Sequence, residues 1–218
     1  MFPVRITVLK RLDVPELAER LAARGIWDKC WLQEGQVFEV SANGSDFPKP
    51  EGFCSWAWAD IQRDITLLRY GVNVPWMRHP GTMISSCTDG RKPVVFKLER
   101  IGSPESSIHT SEIPDTRITV VKRFVHSELI AEYATGGEDP TRCVPCNRFT
   151  DGQTFISKRM AQPDGFCSWA WADIQRDVVW VALGGIQPNH RHPGDALACC
   201  SDGLRQVVFH IERTAEQR

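Results

Sequence analysis

The sequence has no long apolar run and no preponderance of charge of either sign: no stretch approaches the roughly twenty residues that span a bilayer, and 26 Lys and Arg stand against 27 Asp and Glu. The first absence argues against a membrane protein. The second, with the basic residues scattered, argues against a nucleic-acid footprint or a polybasic membrane patch. The opening MFPVRITVLK lacks the charged region, apolar core and small-residue cleavage site of a secretory signal, so a cytoplasmic protein is expected. Neither half has the even cysteine count that a disulfide framework needs: three fall in the first (Cys30, Cys54, Cys87) and five in the second (Cys143, Cys146, Cys167, Cys199, Cys200). Reduced thiols are expected, packed as small apolar groups or gathered as ligands or nucleophiles. Disorder is not expected either, because 42% hydrophobic and 24% charged residues are ordinary for a folded domain.

What the chain does have is a repeat. GFCSWAWADIQRD occurs unchanged at Gly52 to Asp64 and at Gly165 to Asp177, and ITVLKR at Ile6 answers ITVVKR at Ile118. ELAERLA at Glu16 matches ELIAEYA at Glu128, HPG at His79 matches HPG at His192, and SCTDGRKPVVFKLER at Ser86 matches CCSDGLRQVVFHIER at Cys199. Two units of about a hundred residues follow, 1–102 and 116–218. The Ser-, Pro- and acid-rich GSPESSIHTSEIPD from Gly102 to Asp115 reads as an exposed linker between them.

Within a unit, ITVLKR alternates as a strand does, with Ile6, Val8 and Lys10 on one face and Thr7, Leu9 and Arg11 on the other. Val14-Pro15-Glu16 opens a short helix to about Ala23 with Leu17 and Leu21 on a buried stripe, and a strand follows at Gln36 to Val40. The repeated string predicts a helix from about Ser55, a plausible N-cap, to Tyr70, stopped by Gly71. Its core stripe is Cys54, Ala57, Trp58, Ile61, Ile65 and Leu68, or Cys167, Ala170, Trp171, Ile174, Val178 and Val181 in the second copy. Trp56, Asp60, Arg63 and Leu67 share the other side, matched by Trp169, Asp173, Arg176 and Trp180. Two strands joined through Asp-Gly complete the unit, near Met83–Cys87 and Val94–Glu99, and Leu197–Cys200 and Val207–Glu212; Asp-Gly suits the positive φ angles of a tight hairpin. The expected fold is α+β: two tandem β-α-β-α-β-β repeats, each a four-stranded antiparallel or mixed sheet with two helices on one face, packed as an intramolecular pseudo-dimer. Neighbouring strand residues Cys199 and Cys200 point to opposite faces, so at most one joins any cluster.

Cys54 and Cys167 precede helix N-termini, where exposed N–H groups and the helix dipole favour an anion, so a thiol there makes a nucleophile or a metal ligand. The competing account is a small core residue on the apolar stripe. Asp60 beside Trp56, and Asp173 beside Trp169, have the makeup of a small-molecule pocket, or else of a seam between the repeats with Asp60 paired to an arginine. His79 and His192, in loops before Pro-Gly, suit loop acid/base groups or simple exposed turns. Cys146, Cys167, Cys200 and His192 form a candidate zinc set in the second repeat, as Cys30, Cys54, Cys87 and His79 do in the first, and Cys143-Val-Pro-Cys146 has the spacing of zinc knuckles and redox pairs. Lys10, Arg11, Lys122 and Arg123 read as a solvated strand end, with the capacity to hold an anion if they border a pocket.

The succession ITVLKR, a cysteine before EGQ-F, PEGFCSWAWADI, and C-x-D-G followed by PVVFKLER resembles a family of small uncharacterised proteins rich in cysteine and tryptophan, occurring as single units and tandem copies. The resemblance implies the repeat unit and no reaction. The leading expectation is a small-molecule-binding protein, an enzyme acting through Cys54 and Cys167. Asp60 and Asp173 would orient groups or exchange protons, and His79 and His192 would serve as acid/base groups. Trp56, Arg63, Trp169, Arg176 and Trp180 would contact the substrate. A metal-binding (zinc) or thiol-redox protein is the alternative, and a structural interaction module the third.

Overall fold

The computed structural model describes residues 1–13, 15–21, 29–42, 47–102, 113–186 and 190–214. The chain divides into two units, Met1–Thr110 and Ser111–Arg218. The first runs β1 (Val4–Arg11), α1 (Pro15–Leu21), β2 (Val37–Val40), α2 (Ser55–Arg69), β3 (Thr82–Ser86) and β4 (Val94–Arg100). The second runs β5 (Thr116–Arg123), α3 (Ser127–Tyr133), β6 (Thr154–Ser157), α4 (Ser168–Ala182), β7 (Ala196–Cys199) and β8 (Val207–Arg213). Each unit is α+β with one antiparallel four-stranded sheet, ordered β2-β1-β4-β3 and β6-β5-β8-β7. The linker expected over Gly102–Asp115 falls mostly outside the described residues. Its last residues belong to the second unit, where Pro114 is buried and Asp115 accepts from the backbone N–H groups of Arg159 and Thr214 at 3.1 Å each.

Alternation sends Val4, Ile6 and Val8 into the core of the first unit, and Ile118 and Val120 into that of the second. The alternation then breaks. Val8 pairs with Phe96 but Lys10 with Val95, so Leu9 is one residue too many, and Val121 is likewise in β5. This bulge moves Lys10 out to solvent and turns Arg11 the other way, against the expected grouping of Lys10 with Ile6 and Val8.

The long helices lie as the 3.6-residue period requires. Ala57, Ile61, Ile65 and Leu68 are buried in α2, as are Ala170, Trp171, Ile174, Val178 and Val181 in α4. Cys54, rather than Ser55, is the N-cap residue of α2, as Cys167 is of α4, each with extended backbone. Leu67 and Trp180 were expected beside Trp56 and Trp169 but are buried at 2% and 4% exposure. Both helices end in a glycine with positive φ, Gly71 and Gly184. The N–H groups of the following Val72 and Gly185 bond back to the carbonyls of Leu67 and Trp180 at 3.0 and 2.9 Å, and this turn folds the chain over the last helical residues.

The short helices differ from expectation in one respect. Leu21, placed on a buried stripe by its spacing from Leu17, is 65% exposed, and the side chain of Leu17 lies outside the described set. In α3 the residue matching Leu21, Tyr133, is also exposed, and the buried side chain is Ile130. The Asp-Gly turns differ too: neither Gly90 nor Gly203 has positive φ. Asp89 Oδ1 accepts the N–H groups of Arg91 and Lys92 at 2.9 and 3.4 Å, and Asp202 Oδ1 those of Leu204 and Arg205 at 2.9 and 3.0 Å. The side chain therefore folds a longer loop as an Asx turn.

The second core closes on phenylalanines, with the Phe166 ring 4.9, 5.1 and 5.5 Å from Phe155, Phe149 and Phe209. Burial of one such ring contributes roughly 1.5–3 kcal/mol, and this cluster fixes the chain just before the α4 N-terminus.

Candidate functional site

The approach to α4 is set by Pro163-Asp164-Gly165-Phe166. The Phe166 N–H bonds the Pro163 carbonyl at 3.1 Å, which requires Gly165 at φ +72°, a conformation costly for a residue with Cβ. Phe166 plunges into the core, and Cys167 is left half-buried at the helix cap with no side-chain capping bond. Gly52 at φ +70°, Phe53 and Cys54 repeat this arrangement in the first unit.

A second cysteine enters from the loop before the second strand. Redirected by the bulge, Arg123 donates from Nη1 to the carbonyls of Cys146 and Phe149 at 2.9 and 2.8 Å, and its Nε sits 3.0 Å from Asp151. Arg11 does the same for the Cys30 carbonyl at 3.0 Å. These arginines are anchors, not the solvated strand end or anion holder that their position suggested. The third cysteine follows β7: Cys200 is 5% exposed and its Sγ accepts the Val207 N–H at 3.3 Å, while Cys199 faces out. Cys87 accepts from Val94 in the same way at 3.2 Å.

Asp173 ties the helix to the loop after Cys200. Its Oδ2 accepts from Ser201 N and Oγ at 2.7 and 3.0 Å, and Ser201 Oγ in turn accepts from Trp169 Nε1 at 3.3 Å. Asp60 holds Thr88 in the first unit, with Thr88 N at 2.7 Å from Oδ2. In neither unit is this aspartate paired with an arginine among the described residues. Both aspartates act as clasps, and in the second unit the clasp also steadies Trp169, which remains 72% exposed.

These elements enclose a cleft of about 720 Å³ in the second unit, with Cys146, Cys167, Trp169, Cys200 and Ser201 in its wall. The volume is within the usual range for a small-molecule site, roughly 300–1,000 Å³. The matching face of the first unit has a smaller hollow of about 350 Å³ among Trp56, Thr88, Asp89, Gly90 and Arg91.

The expected site residues thus divide. Cys146, Cys167, Cys200 and Trp169 share the cleft wall, and Asp173 braces it through Ser201. His192 is not in the wall, nor is His79 in that of the first unit's hollow; both are exposed turn residues whose carbonyls accept the N–H groups of Asp195 and Thr82. Arg63 and Arg176 are exposed and lie beside the aspartates that follow them, at 3.3 and 3.4 Å. Trp180 is core. Among the described residues no three His, Cys, Asp or Glu side chains stand close enough together to hold a metal ion, so the zinc sets are not assembled. All eight cysteines are free thiols.

Sequence reasoning missed three cleft residues, Arg142, Arg148 and Arg205. A signal was present in the repeat. Counting from the shared Gly-Gln and Val-Val-Phe landmarks, Arg148 stands where the first unit has Trp31, and Arg205 where it has Lys92.

No family model, curated protein or solved structure matches this chain.

Proposed function

We propose that the second unit binds a small organic molecule in the cleft beside α4 and that Cys167 reacts with it as a nucleophile. The observation that carries this reading is the joint lining of a cleft of about 720 Å³ by a half-buried thiol, at the cap of a fifteen-residue helix, and by an exposed tryptophan. The thiol has no capping bond to break, the first-turn N–H groups favour negative charge on it, and Trp169 offers an apolar wall. Asp173 is a positioning residue that acts through Ser201. The resemblance to the uncharacterised cysteine- and tryptophan-rich repeat family belongs to the same proposal and adds no reaction to it.

Competitive alkylation tests the reading. With N-ethylmaleimide at low ratio and peptide mass spectrometry, Cys167 is expected to react faster than Cys199, although Cys199 is the more exposed. Rates ordered by exposure alone would sink the assignment. The rival, a thiol-redox protein, draws on the three free thiols in one cleft, and its zinc-binding form would need them closer together than they stand. Near-stoichiometric zinc in untagged protein would favour it over nucleophilic chemistry.

A further inference from the structure

Building on the reading of this cleft as the ligand site, we infer that the ligand carries an oxyanion, a carboxylate or a phosphate, held by Arg142, Arg148 and Arg205 beside Cys167. The cleft wall holds three arginines and a single acid, Asp202. That acid is engaged in its own turn, where its Oδ1 accepts the Leu204 and Arg205 N–H groups. Among the described residues none of the three guanidinium groups forms an ion pair. Arg142 donates to the Thr135 carbonyl at 2.8 Å, Arg205 donates to the Arg142 carbonyl at 3.0 Å, and Arg148 has no side-chain partner among the described residues. Asp139, close along the chain to Arg142, bonds Thr141 at 2.8 and 2.9 Å and is held below the ordinary carboxyl range by those bonds and, more weakly, by the charge of Arg142, which it balances in part. Arg205 Nε is buried without a hydrogen-bond partner. Elsewhere in the unit Arg117, Arg123 and Arg176 each lie 3.0–3.4 Å from a carboxylate.

Three guanidinium groups against a single wall carboxylate leave the cleft wall with an excess of positive charge, and a bound anion offsets it. Guanidinium forks match the oxygens of a carboxylate or phosphate in pairs. The α4 N-terminus contributes field of the same sign from the wall where Cys167 lies. An oxyanion seated there brings the carbon skeleton attached to it up to the thiol. The first unit is the internal control: its cysteine is set in an identical string, but Trp31 and Lys92 replace two of the arginines, and Arg91 lies 3.6 Å from Asp89.

The test compares iodoacetate with iodoacetamide on the full chain, rates being read for each cysteine by peptide mass spectrometry. In both reactions the thiolate sulfur forms a bond to the CH2 carbon, the C–I bond breaks, iodide leaves with the electron pair, and the thiol proton goes to buffer. The probes differ in charge and little in shape. The iodoacetate-to-iodoacetamide rate ratio is expected to be about tenfold higher at Cys167 than at Cys54 or Cys199, and to fall by about that factor in Arg148→Ala and Arg205→Ala. It should also collapse in high salt. Calorimetric titration with inorganic phosphate and with acetate gives a readout independent of the thiol and separates the two oxyanions: the preferred one binds, slows iodoacetate at Cys167, and binds about tenfold more weakly to Arg148→Ala. Equal ratios at all three cysteines, or no binding of either anion above the level of the variants, overturn the inference. Fast iodoacetamide labelling of Cys167 in that outcome would leave the nucleophile intact and remove only the anion site. Anion binding beside an unreactive Cys167 would do the opposite, upholding the arginine site and removing the nucleophile.

Discussion

Placing a serine at position 198 should stabilise the second unit, because one aspartate of the duplicated string is surrounded differently in its two copies. Asp64 is 6% exposed and its Oδ2 accepts from Ser85 Oγ at 2.7 Å. Asp177 occupies the same place in α4, but the strand residue opposite is Ala198; Ser85 pairs with Phe96 as Ala198 pairs with Phe209. Asp177 is left with Arg176 at 3.4 Å, a half-exposed partner, and burial holds its carboxyl above the ordinary range against the opposing pull of Arg176 and His190. A carboxyl raised in the folded state binds its proton more tightly folded than unfolded. Its ionisation therefore costs stability as pH climbs from about 4 through the raised value. A hydroxyl from Ala198→Ser donates to the ionised form and offsets that cost. Hydrogen bonds to charged groups contribute roughly 1.5–3 kcal/mol. Ordering the new hydroxyl at a half-buried position leaves about 1.5 kcal/mol, close to a tenfold drop in the open population. The gain should be full at pH 7 and fade towards pH 4. Hydrogen exchange of the full chain, followed peptide by peptide, keeps the two units apart, and a carbon-detected NMR titration should find the Asp177 carboxyl brought down. The converse change, Ser85→Ala, should cost the first unit about 1–3 kcal/mol at neutral pH. Unchanged exchange in both variants, or an Asp177 titration indifferent to the serine, would refute the reasoning.

Three packing predictions accompany it. Phe209→Ala opens a hole beneath Phe149 and Phe166 and should lower stability by about 3–5 kcal/mol in denaturant unfolding of the second unit; a loss below about 1 kcal/mol would contradict the central place given to that cluster. Gly185→Ala drives a methyl into the buried Trp180 indole and should cost about 1–3 kcal/mol. Gly194→Ala, with open space at its Cβ position, should stay within about 0.5 kcal/mol of the parent in the same assay.

Local periodicity carried the sequence reading a long way. Two-residue alternation placed the central strands, and the 3.6-residue stripe identified Ala57, Ile61, Ile65 and Leu68 as core and left Trp56 outside. It failed where a neighbour in space overrides the pattern. Leu67 lies on the same helical face as Trp56 but is buried at the end of the helix, where the Val72 N–H of the glycine turn bonds back to its carbonyl. Lys10 belongs by parity with Ile6 and Val8, but an extra residue resets that parity. Of the cleft, Cys167, Cys200 and Trp169 were legible because thiols and tryptophans are rare and repeated, and Cys146 because it belongs to the Cys143-Val-Pro-Cys146 pair. Arg142, Arg148 and Arg205 were hidden because arginine is common on surfaces, and the excess of arginine over acid in one wall becomes visible only in three dimensions.

The bulge at Leu9 and Val121 has a consequence for how this protein can vary. An ordinary strand tolerates substitution along its length provided that odd and even positions keep their character. Here the arginine ending the strand reaches the cysteine-bearing loop only because the count has been shifted by one. A residue inserted opposite Leu9 or Val121, between Val95 and Phe96 or between Val208 and Phe209, would pair the extra residue and restore regular alternation, turning the arginine to the opposite surface and casting the Cys30 or Cys146 loop adrift. The position of a thiol-bearing loop is thus encoded as an arithmetic property of a strand pair, a form of information that residue-by-residue substitution leaves untouched and one residue inserted in the partner strand erases.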